Sequence, residues 1–95
     1  MTLAALLDEL KEVDGDLWQE ISDRTFSMYD DVMINAIVQG CIQRACERRG
    51  WGFIICNQVA NVCTKTSTYA SEIYDTPAEA LLAAYIAAVW AEEMR

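Results

Sequence analysis

A C-terminal segment with a well-marked start and no charge in its interior constrains the fold of this chain most. Thr76 suits the N-cap of a helix, because its hydroxyl accepts a hydrogen bond from an amide of the first turn. Pro77 suits the first helical position, and Glu79, three residues after Thr76, completes a capping box. No charged residue lies between Glu79 and Glu92. We therefore predict a helix from this cap through Trp90.

Two kinds of residue alternate around the predicted helix. Large apolar side chains recur at three- to four-residue spacing and so share one face, namely Leu81, Leu82, Tyr85, Ile86, Val89 and Trp90. Alanines fill the other faces, and a helix that is apolar on all sides is buried on more than one side. We expect the large face to cover a sheet and the alanine face to contact another helix or a second subunit. The candidate oligomer interface consists of Ala80, Ala84, Ala87, Ala88 and Ala91.

The segments before this helix predict an α+β domain. Thr2 caps a first helix, and a break at residues 14–16 separates it from a second short segment, so that one bent helix or two helices fit equally well. A longer helix opens at Asp30 or Asp31, runs to about Arg49 and ends at Gly50. Strand-like runs cover residues 51–56, 61–66 and 71–74, with turns predicted at residues 57–58 and 67–70. The order α(α)–α–β–β–(β)–α indicates a small antiparallel sheet of two or three strands covered by helices.

Acidic residues are concentrated at the N-terminal end. The chain has 95 residues and a net charge of -8 at pH 7. Residues 1–31 carry nine acids and two bases, whereas residues 32–71 carry one acid and four bases. The length indicates one domain, which we divide into an acidic helical arm over residues 1–29 and an α-β-β-α core over residues 30–95. This distribution argues against direct binding of nucleic acid or of an anionic membrane, and it favours a partner with a basic surface.

The same patterns predict a cytoplasmic protein. Met1 is followed by no basic region, and Asp8 and Glu9 interrupt the first run of leucines, so we expect no signal peptide. The helix through Trp90 is too short and too rich in alanine for a membrane span, which needs roughly 20 apolar residues. The cysteines lie in apolar surroundings and are expected to be reduced core side chains, namely Cys41, Cys46, Cys56 and Cys63.

No motif in the chain predicts catalysis or metal binding. Histidine, the commonest general base and metal ligand near neutral pH, is absent. The cysteines form no Cys-x-x-Cys pair, and Arg44 is the only cation placed to activate Cys41 or Cys46. Asp14-Gly15-Asp16 and Glu20 do not have the spacing of an EF-hand loop. We therefore predict no catalytic residue, no metal ion and no cofactor.

The acidic arm contains the candidate partner-binding site. Trp18 lies among acids in the sequence and suits a binding hot spot, although a core position, as a staple that holds the arm on the domain, is the favoured interpretation. The following loop carries Phe26, Met28 and Tyr29, whose large side chains must pack on the core or on a partner. The other aromatic residues singled out, Trp51, Tyr85 and Trp90, are expected in the core. The candidate partner-binding residues are Asp8, Glu9, Glu12, Asp14, Asp16, Trp18, Glu20 and Asp23.

Residues 51–90 resemble the phage ABA-sandwich domain family. The resemblance lies in Trp51-Gly52-Phe53, in residues 62–66 and in the capped alanine-rich segment over residues 76–84. The long acidic N-terminal segment has no counterpart in that pattern. The resemblance implies a bacteriophage or prophage origin and no established activity. Small acidic phage proteins include inhibitors of host defence such as anti-CRISPR proteins, an analogy of size and charge alone.

These observations lead to one main hypothesis and two alternatives. The main hypothesis is a non-enzymatic, phage-type inhibitor whose acidic surface binds a basic, nucleic-acid-binding site of a host defence complex. The first alternative is a homo-oligomeric binder of a small, nucleotide-type ligand, with a pocket between subunits lined by the alanine face and by Arg44 or Arg48. A phage structural or accessory protein is the second alternative. A homodimer is compatible with each of them.

Overall fold

Each helix begins where the sequence supplies a side chain that caps it. The structure is a computed structural model that describes residues 2–94. Thr2, Asp14, Asp30 and Thr76 each accept a hydrogen bond from the amide three residues further on, over 2.9–3.2 Å. The helices that follow these caps are α1 (Leu3–Val13), α2 (Gly15–Arg24), α3 (Asp31–Arg49) and α4 (Pro77–Val89).

Asp14 settles the question of one helix or two. Its backbone, with φ -151° and ψ 76°, leaves the helical region, and the residue both ends α1 and caps α2. Gly50 ends α3 with φ 73°, a left-handed conformation that glycine adopts without a steric penalty, which confirms the predicted end of that helix. At the start of α4, the capping box differs from the prediction, because Glu79 Oε1 contacts the Thr76 hydroxyl, 2.8 Å away, instead of the Thr76 amide.

The sheet is an antiparallel meander of three strands. The strands β1 (Gly52–Cys56), β2 (Val59–Cys63) and β3 (Thr68–Ala70) lie in the order β1–β2–β3. The predicted turn at residues 57–58 is confirmed, and Asn57 in it has a positive φ of 54°. The α+β class and the order of elements are also confirmed.

The third strand lies earlier than predicted. Thr68–Ala70 pairs with β2, and residues 71–74 form no strand. The reason lies in Thr64, whose hydroxyl accepts hydrogen bonds from the amides of Thr66 and Ser67. This local bonding makes the chain turn directly after β2, so that residues 68–70 fall opposite residues 61–63.

Helix α4 lies at the centre of the molecule, between the sheet and two other helices. It packs against the sheet, mainly β2, and against α3 and α1, so it contacts both a sheet and helices as predicted. The large face does not contact the sheet alone, because Tyr85 on that face bonds to Asp14 and to Arg49 of α3. Ala80, Ala84 and Ala88 are fully buried in the core of this chain. They have no surface left for a second subunit, and their assignment to an oligomer interface was wrong. Ala87 is exposed and Ala91 half-buried.

Trp90 is more exposed than predicted. Its side chain is 54% exposed, although the helical periodicity assigned it to the core. Trp90 keeps α-helical backbone angles, with φ -59° and ψ -46°, and a π-helical turn, Trp90–Met94, follows α4 with no buried residue. The exposure of Trp90 therefore reflects a lack of cover at the end of the helix. Tyr85, by contrast, is fully buried as predicted, and Trp51 is half-buried beside it.

The acidic arm is an integral part of the core. Helices α1 and α2 form a hairpin, here called the acidic hairpin (residues 3–24), and α1 packs on α4 while α2 packs on α3. Its buried side chains are Leu6, Leu10, Leu17 and Ile21, each at most 3% exposed. The division into an arm and a separate core therefore describes charge and does not describe packing.

The cysteines fall into two environments. Cys41 and Cys46 on α3 are fully buried, as predicted, whereas Cys63 is half-buried and Cys56 is exposed on the outer face of the sheet. The core assignment of Cys56 was wrong, because β1 alternates and its even-numbered residues point away from the helices. Burial raises the pKa of the Cys46 thiol from 9.0 to about 11, against the opposing effect of Arg49.

We expect the free energy of unfolding to fall above pH 9. The unfolded state releases the Cys46 proton from pH 9 upward, whereas the folded state holds it to about pH 11. The contribution of the Cys46 thiol to the free energy of unfolding is fully present below pH 9. It decreases between pH 9 and pH 11, by about 3 kcal/mol in total. Urea titrations of Cys46→Ala should show a shallower loss than the parent protein. The matched control Cys56→Ala should keep the parental slope, and an equal slope in all three proteins would contradict the assignment.

Candidate binding surface

A polar cluster locks the acidic hairpin to the rest of the molecule. The Tyr85 hydroxyl donates a hydrogen bond to Asp14 Oδ2 over 2.7 Å, and Arg49 Nε donates to the Tyr85 oxygen over 2.9 Å. Arg49 Nη2 lies 3.3 Å from the same Asp14 oxygen. Asp14 stands between α1 and α2, Arg49 ends α3, and Tyr85 lies in α4. Three side chains thus connect four helices.

The guanidinium of Arg49 is held on two further sides. It lies 5.0 Å from the ring centroid of Trp51 and 5.6 Å from that of Tyr85, which is a cation–π arrangement. Its Nη1 also forms an ion pair with Glu93 in the C-terminal π-helical turn. The Arg49 side chain is only 24% exposed, so these contacts are partly shielded from water. Arg49 therefore joins the hairpin, the residue that leads into β1 and the C-terminal turn at one point.

A cleft of about 570 Å³ opens beside this cluster. Asp16, Glu20 and Arg48 line it together with the three clustered side chains. Burial and the hydrogen bond to Asp14 raise the pKa of the Tyr85 hydroxyl far above its usual value, so this hydroxyl stays protonated. Asp14, Arg49 and Tyr85 thus form hydrogen bonds with one another. These bonds hold the hairpin against α3 and α4.

Asp14, one of the predicted partner-binding residues, is therefore not available to a partner. Its side chain is 16% exposed and is used by Arg49, Tyr85 and the cap of α2. Glu20 is also largely withdrawn, because its side chain is 28% exposed and lies 3.9 Å from Arg48. Trp18 is half-buried against the core, with the Lys11 ammonium 4.6 Å from its ring centroid. The staple interpretation of Trp18 therefore agrees with the structure better than a free hot spot does.

The remaining predicted acids are free on the surface. All of them are exposed, and none forms an ion pair with a cation in residues 2–94. Gln19 donates a hydrogen bond to Asp23 over 2.8 Å, which leaves the charge of that carboxylate uncompensated. The surface of the acidic hairpin is thus a fixed array of unpaired negative charge, formed by Asp8, Glu9, Glu12, Asp16 and Asp23.

An apolar patch at the turn between α2 and α3 extends this surface. The apolar patch consists of Phe26, Met28, Val32 and Met33, which are 47–85% exposed. Only Tyr29 of the large loop side chains is half-buried, and Phe26 packs edge-on against it, with ring centroids 5.4 Å apart. The large side chains of residues 26–29 were the only signal of this patch in the sequence. Their exposure depends on where α3 packs, which no local pattern shows.

Within one chain, the residues of the alternative ligand pocket line separate cavities, and the pocket between subunits stays a prediction. Arg44 lines a groove of about 280 Å³ with Arg24 and Gly40, and Arg48 lines the cleft beside Tyr85. No alanine of α4 lines either of these two cavities. Arg44 Nη2 lies 3.5 Å from Cys41 Sγ, yet burial raises the pKa of that thiol, which keeps it from forming the reactive thiolate.

Comparisons of the chain with protein-family models, curated proteins and solved structures found no match. The resemblance to the phage ABA-sandwich domain family therefore stays a prediction. Within residues 2–94, no group of three or more cysteine or carboxylate side chains is arranged to hold a metal ion. In the same part of the chain, no helix has the length and apolar character needed to cross a membrane.

Proposed function

We propose that this protein is a non-enzymatic binding protein that uses the acidic hairpin to occupy a basic, nucleic-acid-binding surface of a host protein. The observation that carries the proposal is the array of exposed carboxylates at Asp8, Glu9, Glu12, Asp16 and Asp23, none paired with a cation in the described residues. Unpaired carboxylates attract a cationic surface and steer it during encounter.

The packing of the hairpin supports the same function. Its buried leucines and the Asp14–Arg49–Tyr85 cluster fix both helices on the core, so the backbone that carries the carboxylates needs no further ordering on binding. A rigid acidic surface competes with nucleic acid for the same lysines and arginines of a partner. An inhibitor of a host defence complex, the role suggested by size and charge, would act in this way.

Charge reversal on the hairpin tests the proposal. The triple variant Asp8→Lys, Glu12→Lys and Asp23→Lys changes the net charge from -8 to -2, because each reversal adds two positive units. Glu12 and Asp23 lie in the last turns of their helices, where lysine is favoured, so the fold should be kept. We expect binding to a basic host protein to weaken at least about 100-fold, since like charges across an interface cost several kcal/mol.

A matched control separates local from overall charge. Glu47→Lys, Glu72→Lys and Asp75→Lys give the same net charge while leaving the hairpin intact, and all three positions are exposed. Each protein is immobilised and incubated with bacterial lysate at low and at high salt, and retained proteins are identified by mass spectrometry. The proposal predicts nucleic-acid-binding proteins that the parent and the control retain at low salt and the triple variant does not. Retention that is equal for all three proteins or insensitive to salt would contradict it.

A further inference from the structure

We infer that the apolar patch at the α2–α3 turn is a second part of the partner interface, and that it enters an apolar pocket next to the basic surface of the partner. Met28 and Val32 are 85% and 79% exposed, and Phe26 and Met33 are 53% and 47% exposed. Single exposed apolar side chains are ordinary, but four within eight residues are a concentration of exposed apolar surface of the kind found at interaction sites. This inference rests on the proposed function and adds the shape and chemistry of the partner.

The patch is presented on an ordered support. Thr25 donates from its amide and its hydroxyl to the Ile21 carbonyl, and the amide of Tyr29 donates to the Phe26 carbonyl over 3.0 Å. The Asp30 carboxylate accepts from the amide of Met33 over 2.9 Å and starts α3. These bonds define the turn, so little backbone entropy remains to be lost on binding.

The charges around the patch identify the partner as basic. Asp23 precedes the patch in the chain, Asp30 and Asp31 stand between Met28 and Val32 in the sequence, and all three carboxylates are exposed. Arg24 is the only cation between residues 22 and 34, and it lines the groove that also contains Arg44. A partner that covers this surface must meet an apolar centre with acidic residues at its margin. A partner surface with an apolar pocket surrounded by lysine and arginine would match both the apolar centre and the acidic margin.

The same carboxylates argue against two other occupants. A second copy placed on the patch by two-fold symmetry would bring Asp23, Asp30 and Asp31 close to their own copies, which is repulsive. An anionic lipid surface would be repelled by the same groups. Asp23 belongs to the array on the hairpin and lies three residues before Phe26, so the array and the patch adjoin along the chain at the end of α2.

Truncation of the two most exposed side chains tests the inference. The variant Met28→Ser and Val32→Ser removes apolar surface without touching the core, and its control is Ile54→Ser and Ile73→Ser, at 59% and 75% exposure elsewhere. Affinity is measured with purified protein against the basic protein retained in the salt-dependent experiment. We expect about 100-fold weaker binding for the patch variant and an unchanged affinity for the control. The salt dependence should stay parental in both, because no charge changes.

The outcomes distinguish the inference from the proposed function. If the hairpin reversal abolishes binding while the patch variant binds like the parent, the acidic function stands and the patch inference is overturned. If no basic protein is retained, both fail. Sedimentation velocity and flotation with phosphatidylserine vesicles complete the test. A parent dimer that Met28→Ser with Val32→Ser dissociates, or vesicle binding that this variant loses, would assign the patch to a second copy or to lipid and overturn the inference.

Discussion

The Leu10→Ala variant is expected to lose about 2–5 kcal/mol of its free energy of unfolding, which is a large part of the total for a domain of this size. Leu10 is 0% exposed on α1, and α1 packs against the central helix α4. Removal of the side chain takes apolar surface out of the core and leaves a cavity that a packed interior fills only in part. A loss of this size in the free energy of unfolding would show that the acidic hairpin belongs to the same core as the sheet.

Urea unfolding followed by circular dichroism and by tryptophan fluorescence measures this loss. The two signals should give one shared transition in the parent and in the variant, because Trp18 lies in the hairpin and Trp51 precedes β1. Asp8→Ala, an exposed change in the same helix, should stay within about 0.5 kcal/mol of the parent. A separate early transition, or a loss below about 1 kcal/mol for Leu10→Ala, would show that the hairpin folds independently.

The second large effect is expected for Arg49→Met, which keeps an apolar stem and removes the guanidinium. The variant leaves Asp14 and Tyr85 without their cation and ends the stacking on Trp51. We expect a loss of about 2–4 kcal/mol, somewhat below the value for a fully buried pair, because the Arg49 side chain is 24% exposed. The hairpin should loosen most, since Asp14 is its point of attachment.

The neighbouring arginine provides the control for this experiment. Arg48→Met removes a cation whose side chain is 56% exposed and 3.9 Å from Glu20, so a loss of at most about 1 kcal/mol is expected. A double-mutant cycle of Arg49→Met with Tyr85→Phe should give a coupling energy of about 0.5–3 kcal/mol. Equal losses for the two arginine variants, or additive effects in the cycle, would show that the Asp14–Arg49–Tyr85 cluster does not act as a unit.

Much of the fold was accessible from local sequence chemistry, whereas the candidate site was accessible only in outline. The hairpin acids were identified as a group from their density, yet Asp14 and Glu20 turned out to be withdrawn from the surface. Their partners Arg49 and Arg48 are distant in the chain, and no spacing rule relates them. Met28 and Val32 are residue types that are usually buried, and their exposure follows from the way α2 and α3 meet.

The sequence by itself determined where most elements begin and end. A cap such as Thr76 acts on an amide three residues away, and Gly50 ends α3 through its own backbone, so both signals are local. Tertiary structure alone decided which faces stay free. Ala80 is buried and Ala87 exposed in the same helix, although the residue type is identical, because burial depends on neighbours far along the chain. The Tyr85–Asp14 bond, between residues 71 positions apart, depends in the same way on long-range packing and fixes the surface proposed here to bind.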